Sequence, residues 1–276
     1  INETSGLNFH LHAPFITGRS RESIKRDHND NRPLFEQLAE LVSGSLFHIR
    51  DTNFLTAEFL SVLPNKKDSL QEPYTLIREA ILETMNEQQL TPTYYKGYAP
   101  AKTLVQSKAS LKRLLSKTDV SFLSEYFERR NDRNEWAIGI SQKNSRLDHF
   151  LTSLDIPNWK NDDFIDLLKQ NANIPTYQMK PDEELLAWLI SKSDVWMQSL
   201  YAFLYSELNN EDRFGELESL LIVRMCDGSL RTGSGSYFQS DEDQNDTTFR
   251  RVNKSIYTSG KNEKIKKKAR EFLVEI

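Results

Sequence analysis

The sequence predicts an α+β fold that is mostly helical, with a strand and loop at the N-terminus and two short β-hairpins. Three observations lead to this expectation. Apolar residues recur at helical spacing over most of the chain, alternate in one N-terminal stretch, and flank two glycine-containing turns. With 276 residues, 38% apolar and 11% aromatic, the chain can form one large domain or two small ones around a hydrophobic core.

The N-terminal stretch alternates as a strand does. Leu7, Phe9 and Leu11 are apolar, whereas His10 and His12 between and beside them are polar. The two histidines would share one face of the strand, where an H-x-H pair can bind zinc. Because the sequence offers neither a cysteine nor a third histidine nearby, we interpret them as polar strand positions and expect no metal site.

Helical spacing begins near Pro33, which suits the first turn of a helix. Leu38, Leu41, Val42 and Leu46 then recur on one side of that helix. Further helices are expected over 56–63, 67–87, from about 108, over 119–155, over 161–171, from Pro181 to about Leu208, and over the last segment, 261–276.

Two segments predict hairpins. One spans 90–105 and turns at Gly97, and the other spans 217–238 and turns at Asp227-Gly228. A polar, acidic loop is expected over 239–254. These elements suggest two parts: 1–106, a strand, loop and helical block ending in a hairpin, and 107–276, a helical block, second hairpin and terminal helix. Because the chain starts with isoleucine and ends within a helical pattern, we expect both parts to belong to a longer protein.

Composition excludes several classes of protein. The formal net charge is −4, which argues against a general nucleic-acid coat protein. No apolar run reaches the roughly 20 residues that a bilayer-spanning helix needs, and no signal peptide is visible. A single cysteine, Cys226, excludes an internal disulfide and favours a reducing, cytoplasmic location.

Catalytic signatures are missing from the sequence. It has no P-loop, HExxH, G-x-S-x-G or kinase motif, and none of the nucleotide-binding boxes of a Bergerat-type ATPase. Cys226 is interpreted as a structural thiol. We do not expect an independent hydrolase. The cations near the C-terminus are interpreted as a solvated helix face: Lys264, Lys266, Lys267, Lys268 and Arg270.

The stretch Phe9–Ile24 offers the clearest functional hypothesis. It delivers the chain from a strand into a glycine-containing loop that carries Arg19 and Arg21. Guanidinium groups on such a loop can grip an anionic oxygen with forked geometry, as arginines do on a transferring γ-phosphoryl group. The alternative is that both arginines pair with nearby acids such as Glu22 and Asp27.

This stretch resembles the segment that follows the nucleotide-binding domain in GHKL-type ATPases of the sacsin and ninety-kilodalton heat-shock chaperone kind. In those chaperones a strand, a loop and a Ser-Arg-Glu tripeptide occur in this order, and Ser20-Arg21-Glu22 stands in the matching place. Sacsin-like repeats have a similar His-x-x-x-x-Phe element followed by arginines, which His10, Phe15, Arg19 and Arg21 match. Three later segments resemble sacsin-type modules of large bacterial ATP-binding proteins: 90–105, the Asp227-Gly228 hairpin ending in Tyr237-Phe238, and Ala269–Leu273.

The resemblance implies a coupling (middle) domain. Arg21 would reach the γ-phosphate of ATP held by a preceding domain of the same protein, with Arg19 as its neighbour. The chaperones often carry a glutamine four residues after that arginine; in this chain Lys25 stands there, and its ammonium group could also reach a phosphate. ATP and Mg²⁺ would belong to the longer protein, a possible ATPase acting with downstream domains and a protein client, and this chain alone would hold no cofactor.

The alternative function is an interaction module for a protein or nucleic acid, with no nucleotide role. Tyr94, Tyr95 and Tyr98 lie in one Gly-Pro loop and could form its contact surface, or they could pack against the helical block. Of the two partner classes, nucleic acid is the less expected because the charge is balanced. Replacement of Arg21 separates coupling domain from interaction module, because only a nucleotide role makes turnover depend on it.

Overall fold

The computed structural model describes residues 4–129, 132–139, 145–171, 180–209, 213–238 and 250–276. Helices dominate it, and the strands are short and paired in twos, which confirms the mostly helical α+β fold. The helices are α1 (Arg32–Asp51), α2 (Ala57–Leu60), α3 (Thr75–Glu87), α4 (Ala109–Leu114), α5 (Lys117–Glu128), α6 (Ser145–Leu151), α7 (Asn161–Leu168), α8 (Glu183–Ile190), α9 (Asp194–Leu208), α10 (Lys254–Thr258) and α11 (Glu263–Glu275). The strands are β1 (Thr91–Pro92), β2 (Tyr98–Ala99), β3 (Leu104–Val105), β4 (Glu135–Trp136), β5 (Val223–Arg224) and β6 (Leu230–Arg231).

The chain divides into two compact units. Unit 1 comprises Ile1–Ser107 and Leu115–Trp159, and unit 2 comprises Lys108–Leu114 and Lys160–Ile276. The chain thus leaves unit 1 after Ser107, returns to it after α4, and leaves it again after Trp159. Within the described ranges, none of the helices combines the length and apolar character that crossing a bilayer requires.

The N-terminal stretch does not pair as a strand within the described part of the chain, and its backbone bends at Asn8 and Phe9. Its side chains alternate as expected, since Leu7, Phe9 and Leu11 pack against the core of unit 1 while His10 and His12 are exposed. The expectation of a strand was therefore right about side-chain burial and wrong about backbone pairing. Burial against helices is enough to impose the period of two.

Helices α1 and α3 form the centre of unit 1. Phe35 of α1 and Ile77 of α3 are fully buried, whereas Leu41, expected on the buried face, is 64% exposed. The helix expected over 67–87 begins only at Thr75. Pro73 disfavours helical backbone at Glu72, which argues against a continuous helix from residue 67 through this point.

Strand β4 corrects the helix expected over 119–155. Helix α5 ends at Glu128, and β4 then pairs in parallel with β3. Trp136 of β4 is fully buried, donates its indole N–H to Leu115 O at 2.8 Å, and packs edge-to-face on Trp159. These contacts with distant residues outweigh the helical pattern of the charged flanks.

Both hairpins are confirmed. β1 and β2 are antiparallel around a turn that contains Gly97, and β5 and β6 are antiparallel around Asp227-Gly228, where Gly228 has a φ of +81°. That φ lies in the left-handed region, which glycine enters without steric cost. Residues 239–249 of the predicted acidic loop lie outside the described residues.

The single helix expected from Pro181 to Leu208 is two helices, α8 and α9. Between them, Ser193 accepts a hydrogen bond from Trp196 N at 3.2 Å and so caps the start of α9. Helix α9 packs along α11, whose Ala269 and Phe272 are fully buried. The terminal helix is thus confirmed.

Candidate functional site

The loop singled out in the sequence is a short β-hairpin, here called the Arg21 hairpin (residues 16–25). Thr17 and Ile24 form an antiparallel bridge. Gly18 N donates to Ser23 O at 2.9 Å, and Lys25 N donates to Ile16 O at 3.1 Å. The four residues 19–22 form the tip.

Arg21 occupies the left-handed region of the backbone map, with a φ of +56°. Its N–H donates to Gly18 O at 3.0 Å, which closes the turn. Glycine or asparagine is usual at such a position, and another residue there costs on the order of 1 kcal/mol. The tip therefore holds an arginine where the backbone alone would favour glycine.

Asn31 fixes the base of the hairpin. The residue is fully buried at the start of α1, and its side chain is not used as a helix cap. Nδ2 donates to Ile16 O and Lys25 O, both at 2.8 Å, and Oδ1 accepts from Ile16 N at 2.8 Å. Three hydrogen bonds from this buried side chain thus tie both legs of the hairpin to the start of α1.

Aromatic packing also supports the base of the Arg21 hairpin. The ring of Phe15 lies 4.7 Å from that of Phe35, which in turn meets Tyr74 edge-to-face at 5.2 Å. The hairpin is therefore seated on the core of unit 1.

Arg19, Arg21 and Lys25 are all exposed. In the described part of the chain, none of the three forms an ion pair or a side-chain hydrogen bond, and the pairing with Glu22 and Asp27 considered from the sequence is not formed. Their positive charges are thus available to an anion that approaches from outside.

The three predicted residues share one hairpin but not one cavity. Lys25 lines an open surface depression formed by residues 22–28, whereas Arg19 and Arg21 lie at the tip beside it. The depression is shallow, and no group of three histidine, cysteine or acidic side chains that could hold a metal occurs among the described residues. What this arrangement offers chemically is an anion contact, with the arginines as donors.

Two other candidates from the sequence are placed as follows. Cys226 is exposed beside its turn, with Sγ 3.6 Å from Val252 O. Tyr94 and Tyr95 are 36% and 48% exposed, whereas Tyr98 is half-buried and donates its hydroxyl to Leu55 O at 3.1 Å. The tyrosine loop is therefore divided between a contact surface and internal packing.

Asn31 is the residue that sequence reasoning missed. A signal existed, because an asparagine directly before Arg32-Pro33 marks the start of a helix. The pattern predicts a cap, however, and the side chain bonds instead to backbone groups fifteen and six residues earlier. Only the fold brings those groups within reach.

Comparisons with models of known protein families, with curated proteins and with solved structures gave no match to this chain.

Proposed function

We propose that this chain is the coupling domain of a GHKL-type ATP-binding protein, similar to the sacsin and ninety-kilodalton heat-shock chaperone kind. In this proposal the chain follows a nucleotide-binding domain and contributes Arg21 to the γ-phosphate of ATP bound there. Arg19 and Lys25 contact the same polyphosphate. ATP and Mg²⁺ are held by the preceding domain, and closure of that domain onto the hairpin transmits the nucleotide state to downstream domains.

One observation carries the proposal: Arg21 is exposed, without a carboxylate partner in the described chain, and held in a left-handed backbone conformation at the tip of an anchored hairpin. Strained residues are maintained where function requires them, so an arginine at a position that favours glycine supports a role for its guanidinium. A fixed hairpin lowers the entropy lost when the side chain meets a phosphate.

Steady-state ATP hydrolysis by the natural full-length protein tests this role. Arg21→Ala should lower kcat at least tenfold with ATP affinity nearly unchanged, which corresponds to about 1.4 kcal/mol of lost transition-state stabilisation. Arg32→Ala is the matched control, because Arg32 is an exposed arginine at the start of α1, outside the hairpin.

The outcomes separate a functional from a structural role. If Arg21→Ala lowers turnover and leaves the melting temperature unchanged, the proposal stands. Unchanged turnover, or a natural protein without a nucleotide-binding domain before this chain, contradicts it. A loss shared equally by Arg32→Ala would indicate a general charge effect and would also contradict it.

The second candidate function is a protein-interaction module centred on Tyr94 and Tyr95. Their exposed rings meet edge-to-face at 5.2 Å. Partial burial is the main cause that raises the pKa of Tyr95. Smaller contributions come from Tyr94 and from the carboxylates of Glu135 and Asp119. Acidic neighbours favour a protein partner over nucleic acid. Tyr95→Ser should then abolish a partner complex of the natural protein, while Arg21→Ala leaves both the complex and any turnover unchanged.

A further inference from the structure

The basic cluster near the C-terminus is not one uniform face of α11. Lys266 pairs with Glu263 at 2.5 Å, and Lys267 lies 3.7 Å from Glu271. These two lysines are compensated on their own helix, as a solvated face would be. Lys264 and Lys268 instead line a cleft in unit 2, here called the basic cleft.

The basic cleft lies among α4, α9 and α11 and has a volume of about 420 Å³. Arg113 of α4 joins Lys264 and Lys268 in its lining, together with serine hydroxyls from α4 and α9. Apolar groups of Leu114 and Phe203 complete the wall, and each of these residues is only 7% exposed. Its size is within the range of small-molecule sites, and its wall combines polar and apolar groups as such sites do.

The cations of the cleft exceed its acids. Glu207 is the one carboxylate in the lining, so three cations and one anion leave a net charge of +2. In the described chain, Arg113 and Lys264 form no ion pair; Arg113 Nε donates to Ala109 O at 3.1 Å, which leaves its terminal nitrogens available. Lys268 Nζ donates a hydrogen bond at 2.6 Å to Ser206 Oγ, which also lines the cleft.

The N-terminus of α11 adds partial positive charge to the basic cleft. Asn262 lines the cleft and is the N-cap of the helix, accepting a hydrogen bond from Ile265 N at 3.3 Å. Helix α11 has 13 residues, so its N-terminal turn carries the positive end of a substantial dipole. Backbone N–H groups of a first turn have no helical acceptor, and they favour an oxyanion.

We propose that the basic cleft binds a phosphate-bearing small molecule through its phosphate or diphosphate group. A phosphate carries about two negative charges near neutral pH, which matches the net charge of the lining better than one carboxylate does. The forked guanidinium of Arg113 suits two phosphate oxygens, and the two lysines act as point charges. This inference does not depend on the Arg21 hairpin or on its proposed function.

Calorimetric titration of the chain with inorganic pyrophosphate, at a constant ionic strength of about 0.15 M so that screening is fixed, tests the site. We expect saturable binding of one pyrophosphate per chain. Arg113→Gln and Lys268→Gln should each weaken it at least tenfold, and Arg113→Lys should retain part of the affinity. Lys267→Gln, on the same helix but outside the cleft, should leave it unchanged.

Each other result overturns the proposal. Absence of pyrophosphate binding removes the site. Equal weakening by Lys267→Gln and Lys268→Gln indicates a diffuse basic surface. Binding of a duplex oligonucleotide that depends on Arg113, without pyrophosphate binding, assigns the cleft to a nucleic-acid backbone instead. Circular dichroism of each variant keeps loss of folding distinct from loss of binding, and Arg113→Lys replaces Arg113→Gln if the latter unfolds.

Discussion

The Asn31 side chain hydrogen-bonds to both backbone groups of Ile16: Nδ2 donates to the carbonyl oxygen, and Oδ1 accepts from the amide N–H, each at 2.8 Å. The side chain thereby replaces a strand partner for this residue. Because Nδ2 also donates to Lys25 O, one carboxamide holds both legs of the Arg21 hairpin. The presentation of Arg21 therefore depends on a residue ten positions further along the chain.

Replacement of Asn31 should destabilise unit 1. Asn31→Ala removes three hydrogen bonds, leaves the Ile16 N–H without its acceptor, and leaves the carbonyls of Ile16 and Lys25 with one backbone donor each, so we expect a loss of about 1–3 kcal/mol in the free energy of unfolding. Asn31→Asp should be at least as harmful, since a carboxylate cannot donate to either carbonyl. Urea unfolding measures the change.

Asn29→Ala is the matched control for that experiment, because Asn29 is exposed and two residues away. Its replacement should change the free energy of unfolding by less than about 0.5 kcal/mol. Equal effects of the Asn29 and Asn31 variants would contradict the anchoring role.

Arg21→Gly should stabilise the chain by about 0.5 kcal/mol, whereas Arg21→Val should destabilise it by about 1 kcal/mol. Glycine relieves the steric cost of a φ of +56°, and a β-branched residue increases it. Arg19→Gly is the opposite control: Arg19 is not in the left-handed region, so glycine there should lower stability. Thermal unfolding in one buffer ranks the melting temperatures of the wild type and the three variants. A lower melting temperature for Arg21→Gly would argue against backbone strain at this residue.

Replacement of Arg224 by lysine should lower the free energy of unfolding. Arg224 is 5% exposed, and its Nη2 donates to Leu189 O, Ile190 O and Lys192 O at 2.9–3.1 Å, which satisfies the end of α8. Lysine cannot reproduce the planar fork. We expect Arg224→Lys to cost about 1–3 kcal/mol by urea unfolding, because lysine leaves some of these carbonyls without a donor.

Arg231→Lys is the control for Arg224→Lys, because Arg231 lies on the neighbouring strand β6 and is exposed. It should be nearly neutral, and hydrogen exchange should accelerate at the end of α8 only in the Arg224 variant. Unchanged protection there would contradict the capping role.

Local pattern predicted those parts of the fold whose stabilising contacts are also local. The amphipathic stripe of α11 and the turn at Gly228 could be predicted from the sequence because periodicity and turn chemistry act within a few residues. The break between α8 and α9 was not, since Arg224 satisfies the end of α8 from thirty-four residues away. Strand β4 was missed for the same reason, as its partner β3 is distant in sequence.

The candidate site was predictable in residue type but not in conformation. Arg19 and Arg21 were predicted because guanidinium groups on a loop suit an anion, and Lys25 was predicted only through the family resemblance. The left-handed backbone of Arg21 carries no signal in the sequence, since glycine or asparagine usually marks it. The basic cleft was missed because Arg113 joins Lys264 and Lys268 only in three dimensions.

Lys112 should make the stability of the chain depend on pH above neutrality. It is 2% exposed on α4, and burial lowers its pKa to about 7, against roughly 10.4 in an unfolded chain. Between these values the unfolded state binds more protons, so the free energy of unfolding rises with pH, by at most about 1.4 kcal/mol per unit. Below pH 7 the lysine is charged in both states, and this contribution to the slope vanishes.

Urea unfolding of the wild type and of Lys112→Met at pH 6, 7, 8 and 9 measures this linkage. Methionine keeps the length of the side chain and removes its charge, so Lys112→Met should be more stable at pH 7 and should lose the slope between pH 7 and 9. Lys108→Met, an exposed lysine directly before α4, should keep the wild-type slope. Parallel pH profiles for the wild type and Lys112→Met would mean that Lys112 titrates at its ordinary pKa in the folded chain, because only a difference in bound protons between the folded and unfolded states can produce the slope.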